Sequence, residues 1–418
     1  MTLRRATQRS SYEGGGGPAR ERRRKELSRS DGSVLRSGRR SAAFPLSGAA
    51  GLLPRQAIRE LVARNVVQAT SEFRPSQFQP ASLDLRLGRN AYRVRASFLP
   101  GSGATVLDKL EALNGEQIAL SEEGAVFERG CVYVVELQEF LNLPVSVSAF
   151  ANPKSSTGRL DVFTRLITDR SDVFDSVESG YSGRLYAEVS PRSFSIKVRQ
   201  GTRLNQIRFR RRTSNQEEIA DFRLRDRDLR ELHERTPLAD GEVLHVRNGL
   251  VMRIELAGIG PADLVGYRAQ RHTEVIDIDR IGAYPAEDFW EPIRARADKR
   301  LILDPDEFYI LVSKEKLHIP PTLAAEMVPI DPTMGEFRVH YAGFFDPGFG
   351  YTDTGYPGSR AVLEVRSHEV PFALEDGQMV CRLAYERMVE APDSLYGAIG
   401  TSNYQGQALK LSKQFIQP

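Results

Sequence analysis

Residues 154–159 of this 418-residue chain read Lys-Ser-Ser-Thr-Gly-Arg, so two cations, three hydroxyls and a glycine lie within one short segment. Hydroxyl donors on short side chains let a polyphosphate approach closely, and the cations Lys154 and Arg159 offset its charge. We interpret residues 154–159, called the cradle below, as a candidate polyphosphate-binding segment that uses Lys154, Ser155 and Ser156. The alternative is an ordinary Ser/Gly loop, because hexapeptides of this composition are common.

A second candidate group is a carboxylate within an apolar strand. Residues 184–188 read Arg-Leu-Tyr-Ala-Glu, which gives Glu188 apolar neighbours. Burial disfavours the charged form of a carboxyl group and raises its pKa toward the range useful for proton transfer. Glu188 is therefore a candidate general acid–base, and the alternative is an edge strand that carries a solvated glutamate.

The chain also contains an internal repeat of 176 residues. A unit of this length indicates a duplicated domain rather than a solenoid repeat. Because the shift places Glu188 on Glu364, Glu364 is a second candidate acid–base. Further pairs that match without gaps are Tyr133 and Tyr309, Glu139 and Glu315, Pro144 and Pro320, Arg184 and Arg360, Gly201 and Gly377, and Arg211 and Arg387.

The two repeats differ at the cradle. Residues 330–335 of the second repeat lack its serines and cations and bring in an aspartate. The second repeat instead carries residues 340–348, His-Tyr-Ala-Gly-Phe-Phe-Asp-Pro-Gly, an aromatic hairpin suited to holding a flat ring. His340, Tyr341 and Asp346 are therefore candidate substrate-binding residues, and ordinary core packing of the aromatics is the alternative.

Short strands must position these residues. Residues 79–88 alternate apolar and polar side chains, which predicts a half-buried strand, and Pro54 begins a short amphipathic helix. Many short strands with few helices predict a mainly β protein, built as antiparallel β-barrels or jelly rolls. Further predicted strands are residues 92–96, 117–120, 132–137, 184–189, 195–198 and 205–209.

Charge is distributed unevenly along the chain. Residues 1–50 hold twelve basic and four acidic side chains, a balance of +8, so a net charge of +3 leaves −5 for residues 51–418. We predict a disordered basic extension over residues 1–48, with targeting or anion binding as alternatives. The acidic remainder argues against nucleic-acid binding. The two repeats are expected to span residues 49–213 and 214–418.

Composition excludes several classes of protein. A hydrophobic share of 40% with 27% charged residues is typical of a globular protein, and no apolar run approaches the roughly 18 residues of a membrane span. The only cysteines, Cys131 and Cys381, lie in Val-rich runs. We interpret both as buried thiols in a reducing compartment, which favours a cytoplasmic location.

Several catalytic chemistries lack their motifs. Zinc nucleobase deaminases need His-x-Glu followed by Pro-Cys-x-x-Cys, but the one His-x-Glu, at His272, has no cysteine pair to complete it. The scattered histidines and cysteines argue against a structural zinc site. P-loop and nucleophile-elbow motifs do not occur either. Carboxylate acid–base chemistry beside a phosphate-binding segment remains.

These residues together resemble the dCTP deaminases of the trimeric dUTPase-like fold. Residues 79–88 resemble the family strand Pro-Ala-Ser-x-Asp-x-Arg-Leu-Gly, and residues 155–159 resemble its Ser-Ser-x-x-Arg phosphate motif. Residues 180–183 with Glu188 resemble its Gly-Trp-Ser-Gly turn and catalytic glutamate. Residues 402–407 resemble the family's tail that closes over bound nucleotide, which adds Tyr404, Gln405 and Gln407 as substrate-binding candidates.

The resemblance implies two tandem dUTPase-like β-domains that assemble into trimers. It also implies hydrolysis of dCTP to dUTP and ammonia in deoxynucleotide metabolism, without catalytic zinc. Glu188 or Glu364 would take a proton from the water that attacks C4 of cytosine. Ser155, Ser156 and Arg159 would hold the triphosphate and the water, and Mg²⁺ would accompany the nucleotide.

Family sites lie between subunits, so the duplicated chain leaves two arrangements open. In the composite hypothesis, the cradle of repeat one faces Glu364 and residues 340–346 of repeat two. In the competing arrangement, Glu188 works with its own cradle or a neighbouring copy, although extra residues in the turn 172–182 put that base-reading loop in doubt. Arg170, just before this turn, is a further substrate-binding candidate.

Two other functions compete with deamination. A dUTP pyrophosphatase, or a bifunctional enzyme that releases dUMP, would use an aspartate such as Asp346 to orient water onto the α-phosphate. A nucleotide-binding protein without turnover would keep the fold alone. Release of ammonia without pyrophosphate would indicate deamination, and release of pyrophosphate would indicate the pyrophosphatase. Nucleotide binding without any product would indicate the binding protein.

Overall fold

A computed structural model describes residues 49–212, 222–241, 243–329, 337–340, 343–351, 358–367, 369–398, 406 and 408–417. Of residues 337, 338 and 340 it describes the backbone alone. The predicted extension at residues 1–48 lies outside the described part. So do Tyr341, Tyr404, Gln405 and Gln407.

The first half of the described chain is mainly β, with three short α-helices. Its helices are α1 (Arg55–Ala63), α2 (Val106–Ala112) and α3 (Ser155–Gly158). Its strands are β1 (Gly51–Leu52), β2 (Val67–Ala69), β3 (Leu83–Leu85), β4 (Leu87–Val94), β5 (Glu116–Ala119), β6 (Ala125–Phe127), β7 (Val132–Asn142), β8 (Val147–Pro153), β9 (Val162–Thr168), β10 (Ser176–Val177), β11 (Ser182–Pro191), β12 (Ile196–Val198) and β13 (Asn205–Arg211).

The second half has the same character. Its α-helix within the described residues is α4 (Asp226–His233). Its strands are β14 (Leu250–Arg253), β15 (Leu264–Ala269), β16 (Ile276–Asp277), β17 (Trp290–Arg294), β18 (Arg300–Leu303), β19 (Phe308–Leu317), β20 (Leu323–Pro329), β21 (Phe337–His340), β22 (Phe344–Phe345), β23 (Ser359–Ser367), β24 (Phe372–Glu375) and β25 (Met379–Arg387).

The 176-residue repeat of the sequence recurs in the strands. Strand β8 shifted by 176 residues coincides with β20, and β7 and β11 shifted likewise fall on β19 and β23. The pairing is also repeated: β13 lies beside β8 as β25 lies beside β20, and β7 beside β11 as β19 beside β23. The prediction of a mainly β protein with few helices is confirmed.

Each candidate glutamate lies on an interior strand of an antiparallel sheet, paired on both sides. Strand β11, with Glu188, lies between β7 and β9 in the sheet β5-β4-β7-β11-β9. Strand β23, with Glu364, lies between β19 and β21 in the sheet β17-β15-β19-β23-β21. A central strand is fixed by hydrogen bonds on both edges, so both glutamates have rigid backbones.

Local structure differs from expectation at one predicted strand. Residues 79–88 do not form one strand, because the ladder is interrupted at Arg86 between β3 and β4. The Arg86 backbone amide donates to Glu139 Oε2 at 2.8 Å, and the guanidinium binds the same carboxylate. A buried ion pair thus takes the place of ladder bonding there. The helix predicted after Pro54 is present as α1.

Two large hydrophobic clusters form most of the core of the described residues, and Leu52, Ala81, Ala324 and Met388 form a small further one. The first is centred on repeat one but also includes Trp290, Phe308 and Phe415 from later in the chain. The second consists of residues from 224 onward. Because aromatic residues of repeat two and of the C-terminal region complete the first cluster, the two repeats are packed together within one compact unit.

The two cysteines have different environments. Cys381 is buried in β25, as expected, and burial raises the pKa of its thiol. The prediction of a buried thiol is wrong for Cys131, which is half-buried just before β7 and has its sulfur 3.2 Å from Arg93 Nη2. Within the described residues, no helix is both long enough and apolar enough to cross a membrane.

Candidate active site between the repeats

A cavity of about 510 Å³ lies between the two repeats. The cradle residues Ser155, Ser156 and Arg159 line it from repeat one, and Asp346 and Glu364 line it from repeat two. The other lining residues are Arg74, Ser76, Gln79, Asp84, Lys154, Gly201, Arg203, Gln206, Ile278, Asp279, Ile281, Phe344, Phe345, Phe349, Val362, Tyr396 and Lys413. The cavity is therefore composite, with walls from both halves of one chain.

The cradle is a single turn of helix held firmly against repeat one. Strand β8 ends at Pro153, and α3 follows directly. The Thr157 hydroxyl donates to the Leu204 carbonyl at 2.9 Å, and Arg159 Nη1 donates to the Lys410 carbonyl at 2.8 Å. Ser156 is 8% exposed and Arg159 3% exposed, so their backbone and side chains are well fixed.

Asp84 organises two of the cations of the cavity. Lys154 Nζ lies 2.5 Å from Asp84 Oδ1, and Arg203 Nη1 lies 3.4 Å from Asp84 Oδ2. Asp84 is on β3, next to β13, and is itself buried. The Asp84 carboxylate thereby holds both cations in the cavity wall, where they are positioned to bind an anion.

Glu364 lies directly over the cradle. Its side chain is 3% exposed, and its strand is paired on both edges. A Cβ atom added to Gly158 would lie 2.5 Å from Glu364 Oε2. The glycine of the cradle is therefore needed so that a carboxylate from the other repeat can approach its backbone.

Arg208 holds the aromatic hairpin of repeat two in place. From β13 of repeat one, its guanidinium donates to the carbonyls of Ala325 and Phe345 at 3.0 Å each and to Asp346 Oδ1 at 2.9 Å. It also lies 4.1 Å from the ring centroid of Phe344. Burial raises the pKa of the Asp346 carboxyl, and the charge of Arg208 opposes that rise.

A buried ion pair fixes β23 relative to the cradle. Arg366 binds Asp161, which follows the cradle by two residues, and its Nε lies 3.2 Å from Asp161 Oδ1. Ser193 Oγ donates to Asp161 Oδ2 at 2.6 Å. Because side chains two apart in a strand share a face, Arg366 and Glu364 both point toward repeat one.

Glu188 has a different environment and does not line the cavity. It is 1% exposed, so its predicted burial is confirmed, but its neighbours are not only apolar. Arg165, directly opposite on β9, lies 3.1 Å from Glu188 Oε1, and its guanidinium packs on Phe174 at 3.6 Å. The carboxylate is thus neutralised by a cation of its own sheet.

The structure brings together most of the described candidates. Lys154, Ser155, Ser156, Arg159, Asp346 and Glu364 share the cavity. Arg170 does not, since it is exposed on a turn of repeat one, and the residue 176 positions later, Asp346, lines the cavity instead. Tyr341, Tyr404, Gln405, Gln407 and the side chain of His340 lie outside the described residues.

Sequence reasoning missed several lining residues. Arg203 and Arg74 belong to loops without a motif, and Tyr396 follows the last strand. Lys413 lies six residues after the end of the tail motif 402–407, and no sequence pattern marked it. Asp84 lay inside the recognised segment 79–88 and could have been chosen from it. Among the described residues, no group of three or more His, Cys, Asp or Glu side chains is arranged to hold a metal ion.

Comparison with known proteins gives two family matches in chain order. The family described as 2'-deoxycytidine 5'-triphosphate deaminase (DCD) N-terminal domain matches residues 49–213. The family described as 2'-deoxycytidine 5'-triphosphate deaminase (DCD), C-terminal domain, matches residues 225–415. The two matches together account for most of the chain.

Two curated relatives are each named "dCTP deaminase, dUMP-forming". The protein of Methanosphaera stadtmanae is 30% identical over 135 residues, which are 31% of this chain and 64%, slightly under two thirds, of that protein. The protein of Aquifex aeolicus is 28% identical over 161 residues, which are 38% of this chain and 81% of that protein.

A solved structure is similar over a much greater length. The crystal structure of 2'-deoxycytidine 5'-triphosphate deaminase from Agrobacterium tumefaciens superposes with a TM-score of 0.78 at 54% sequence identity. The match covers 84% of this chain and 99% of that one. On the two family matches and this structural similarity, the chain belongs to the 2'-deoxycytidine 5'-triphosphate (dCTP) deaminase family.

Proposed function

We propose that this chain hydrolyses dCTP to dUTP and ammonia in the cavity between its repeats, with Glu364 as the general acid–base. The observation that carries the proposal is the approach of the Glu364 carboxylate to Gly158 of the cradle, within one cavity. Family membership supports the reaction, and the cavity supports the choice of residues. The composite arrangement is therefore favoured over a site built on Glu188.

The proton steps need only one carboxylate and one water. Glu364 takes a proton from the water as its oxygen bonds to C4 of cytosine, and the proton then passes to the ring nitrogen N3. The C4–N4 bond breaks, N4 leaves as ammonia with a proton returned through the same carboxyl group, and C4 keeps the oxygen as the carbonyl of uracil. Water is thus consumed, and the glutamate ends ionised as it began.

The remaining walls fit the two ends of the nucleotide. Lys154, Ser155, Ser156 and Arg159 offer cations and hydroxyls to the triphosphate. Phe344, Phe345 and Phe349 offer an aromatic wall to the base, and Arg208 holds the first two rigidly. A site whose donors are fixed before binding loses little entropy when substrate arrives.

Magnesium would enter with the substrate. The aspartates of the cavity, Asp84, Asp279 and Asp346, are already paired with Lys154, Arg199 and Arg208. The donor set therefore fits Mg²⁺ held by phosphate oxygens and water rather than by a protein cage. Bound in this way, the ion would offset part of the triphosphate charge.

Replacing each glutamate separately tests the choice of acid–base. Glu364→Gln keeps the size of the side chain but removes the proton acceptor, so kcat should fall by about 100- to 10,000-fold. Glu188→Gln is the matched control, buried to the same degree in the equivalent strand, and should retain kcat within about threefold once folded protein is compared. Turnover is measured as ammonia released from dCTP with magnesium.

The opposite result would reject the composite site. Full turnover by Glu364→Gln together with loss of turnover in Glu188→Gln would assign the reaction to repeat one. Circular dichroism of both variants separates loss of chemistry from loss of fold.

A second candidate function is further cleavage of dUTP to dUMP and pyrophosphate. Two observations favour it: the curated relatives are named dUMP-forming, and Asp346 lines the cavity. Against it, one oxygen of Asp346 is already bound by Arg208, which limits its freedom to orient a water molecule. Resolving dUTP, dUMP and pyrophosphate from the same reaction decides between the two, and the absence of every product would favour a binding protein.

The fold and assembly complete the proposal. The repeated strand order supports two tandem dUTPase-like β-domains over residues 49–213 and 214–418. We propose a trimer from the family resemblance, and a cytoplasmic location from the reducing compartment that the two free cysteines indicate. Light scattering of the purified protein measures the first, and microscopy of a fluorescent fusion the second.

A further inference from the structure

Lys413 is a cation in the cavity wall to which the mechanism above gives no role. Its side chain is half-buried, and its neighbours in the wall include Lys154 and the carboxylate-bound Arg203. Within the described part of the chain, the Lys413 ammonium group has neither a hydrogen bond nor an ion-pair partner. Burial and the nearby charges of Lys154 and Arg203 lower its pKa, and the carboxylates of Asp84 and Asp279 oppose part of that shift without bonding to it.

The backbone of Lys413 is fixed on both sides. Residues 408–417, called the C-terminal anchor below, place Leu411 and Phe415 in the core of repeat one. The Lys413 carbonyl accepts from Gly282 N at 2.9 Å, and the Gln414 carbonyl accepts from Ala283 N at 2.8 Å. The lysine is therefore held beside the cavity and is not a mobile surface residue.

The anchor is also bonded directly to the cradle. Ser412 Oγ donates to the Ser156 carbonyl at 2.7 Å, one residue before Lys413, and Arg159 Nη1 donates to the Lys410 carbonyl at 2.8 Å. These two bonds place the lysine next to the serines and arginine of the cradle. Any anion that the cradle binds will lie close to the ammonium group.

A partly desolvated cation without a partner lowers the stability of the free protein. An arriving anion reverses this effect, because it supplies the partner that the fold leaves out. An unpaired Lys413 lowers the stability of the free protein, and this loss is offset when the bound substrate supplies the missing anion. Lys413 lies on a different segment from the cradle. It can therefore contact a phosphate group that the cradle leaves partly uncovered.

We propose that Lys413 is a substrate-binding residue that donates hydrogen bonds to the triphosphate and couples the C-terminal anchor to nucleotide binding. The inference rests on the proposed function in one respect, namely that the cavity takes a nucleoside triphosphate. It concerns binding, so Lys413 takes no part in the proton transfers of Glu364.

The test is Lys413→Met, which keeps the length of the side chain and removes its charge. With dCTP, KM should rise about 10- to 100-fold, the effect of losing one charge-assisted hydrogen bond, while kcat stays within about threefold. Without nucleotide, Tm should rise by about 1–3 °C because the unpaired cation is gone. A structural lysine would change Tm in the opposite direction.

The matched control is Lys109→Met on α2. Lys109 is also half-buried but does not line the cavity. It should leave KM unchanged, which shows that loss of one positive charge from the whole protein is not the cause. An unchanged KM in Lys413→Met, or a lower Tm of that variant without nucleotide, overturns the inference.

A titration with inorganic triphosphate separates this inference from the proposed function. Calorimetry should show about 10-fold weaker binding to Lys413→Met than to the unaltered protein, with Lys109→Met unchanged. Failure of the unaltered protein to release ammonia from dCTP would sink the proposed function and leave this comparison valid. Equal binding of triphosphate by both proteins would sink the role of Lys413 even if deamination is observed.

Discussion

At the scale of single residues, the site depends on one glycine. Gly158 lies in α3, where its backbone needs no unusual conformation, so alanine fits the helix as such. The Glu364 carboxylate excludes a side chain at this position, because a Cβ atom on residue 158 would lie only 2.5 Å from Glu364 Oε2. The glycine is therefore needed for the close contact between Glu364 and the cradle, and not for the local helix.

Gly158→Ala should consequently damage turnover more than stability. The new methyl group displaces Glu364 from the cradle, and a shift of about 1 Å in a catalytic group can cost about 100-fold in kcat. The measurement is kcat for ammonia release beside the thermal unfolding midpoint. Gly103→Ala is the control, since a Cβ there meets nothing within 4 Å. Unchanged kcat in Gly158→Ala would argue against Glu364 as the acid–base.

The carboxylates of the two repeats show how one partner changes the role of an equivalent residue. Glu188 faces Arg165 across the ladder, and that cation occupies the space on its own side of the sheet. Glu364 lies opposite Ile310 on β19 and opposite His340 on β21, and its carboxylate approaches Gly158 of the cradle. Duplication supplied two glutamates at equivalent positions; Glu188 pairs with Arg165 of its own sheet, and Glu364 lines the cavity.

At the scale of elements, strand β23 is one of the parts that join the repeats, and it does so at the site. It carries Glu364 over the cradle and Arg366 into the ion pair with Asp161, on one face. The pair is buried, with side-chain exposures of 10% and 0%. An ion pair between rigid elements fixes their register, and here it fixes the register of the acid–base relative to the phosphate-binding residues.

Arg366→Met should therefore impair both stability and positioning. Breaking a buried pair by removing one partner costs about 3–5 kcal/mol of unfolding free energy, because the buried Asp161 carboxylate loses the cation that compensates its charge. The folded variant should also have a kcat at least tenfold lower with KM within about threefold, since Glu364 loses its register. Denaturant unfolding and steady-state kinetics measure the two effects.

The double variant Asp161→Asn with Arg366→Met is the control for this prediction. Removing both charges should recover part of the stability, because no unpaired charge remains buried. It should not recover kcat, since the link between β23 and the cradle is still missing. Recovery of kcat together with stability would show that Arg366 has a structural role alone.

At the scale of the whole molecule, one chain supplies both halves of the proposed site. The cradle belongs to repeat one, Glu364 belongs to repeat two, and the C-terminal anchor returns to repeat one. Repeat two has no equivalent cradle in its sequence, so the duplicated chain is expected to hold one working site. Calorimetry with a slowly turning variant such as Glu364→Gln should thus give one nucleotide per chain.

Mixing two inactive variants tests whether both halves come from the same chain. Arg159→Met lacks the cradle and Glu364→Gln lacks the acid–base, so neither should release ammonia alone. If the site forms within one chain, subunits exchanged by refolding the two variants together should stay inactive. Restored activity would place the cradle opposite the Glu364 of a neighbouring copy.

The site was partly predictable because several of its parts are contiguous. The cradle occupies six neighbouring residues, and its chemistry follows from their types alone. Arg170 does not line this cavity, although the repeat aligns it with Asp346, because equivalent positions of the two repeats have different neighbours. Lys413 was missed because its role depends on where the C-terminal anchor packs.

The sequence by itself determined the mainly β character, the duplication, the cradle and the family resemblance. These features depend on local periodicity and on patterns that recur at a fixed spacing, both of which are visible without a fold. The tertiary structure decided which glutamate meets the cradle, which cations find partners and which segment closes the wall. Those outcomes depend on strand register and on the packing of two repeats, which join residues such as Gly158 and Glu364 across 206 positions of chain.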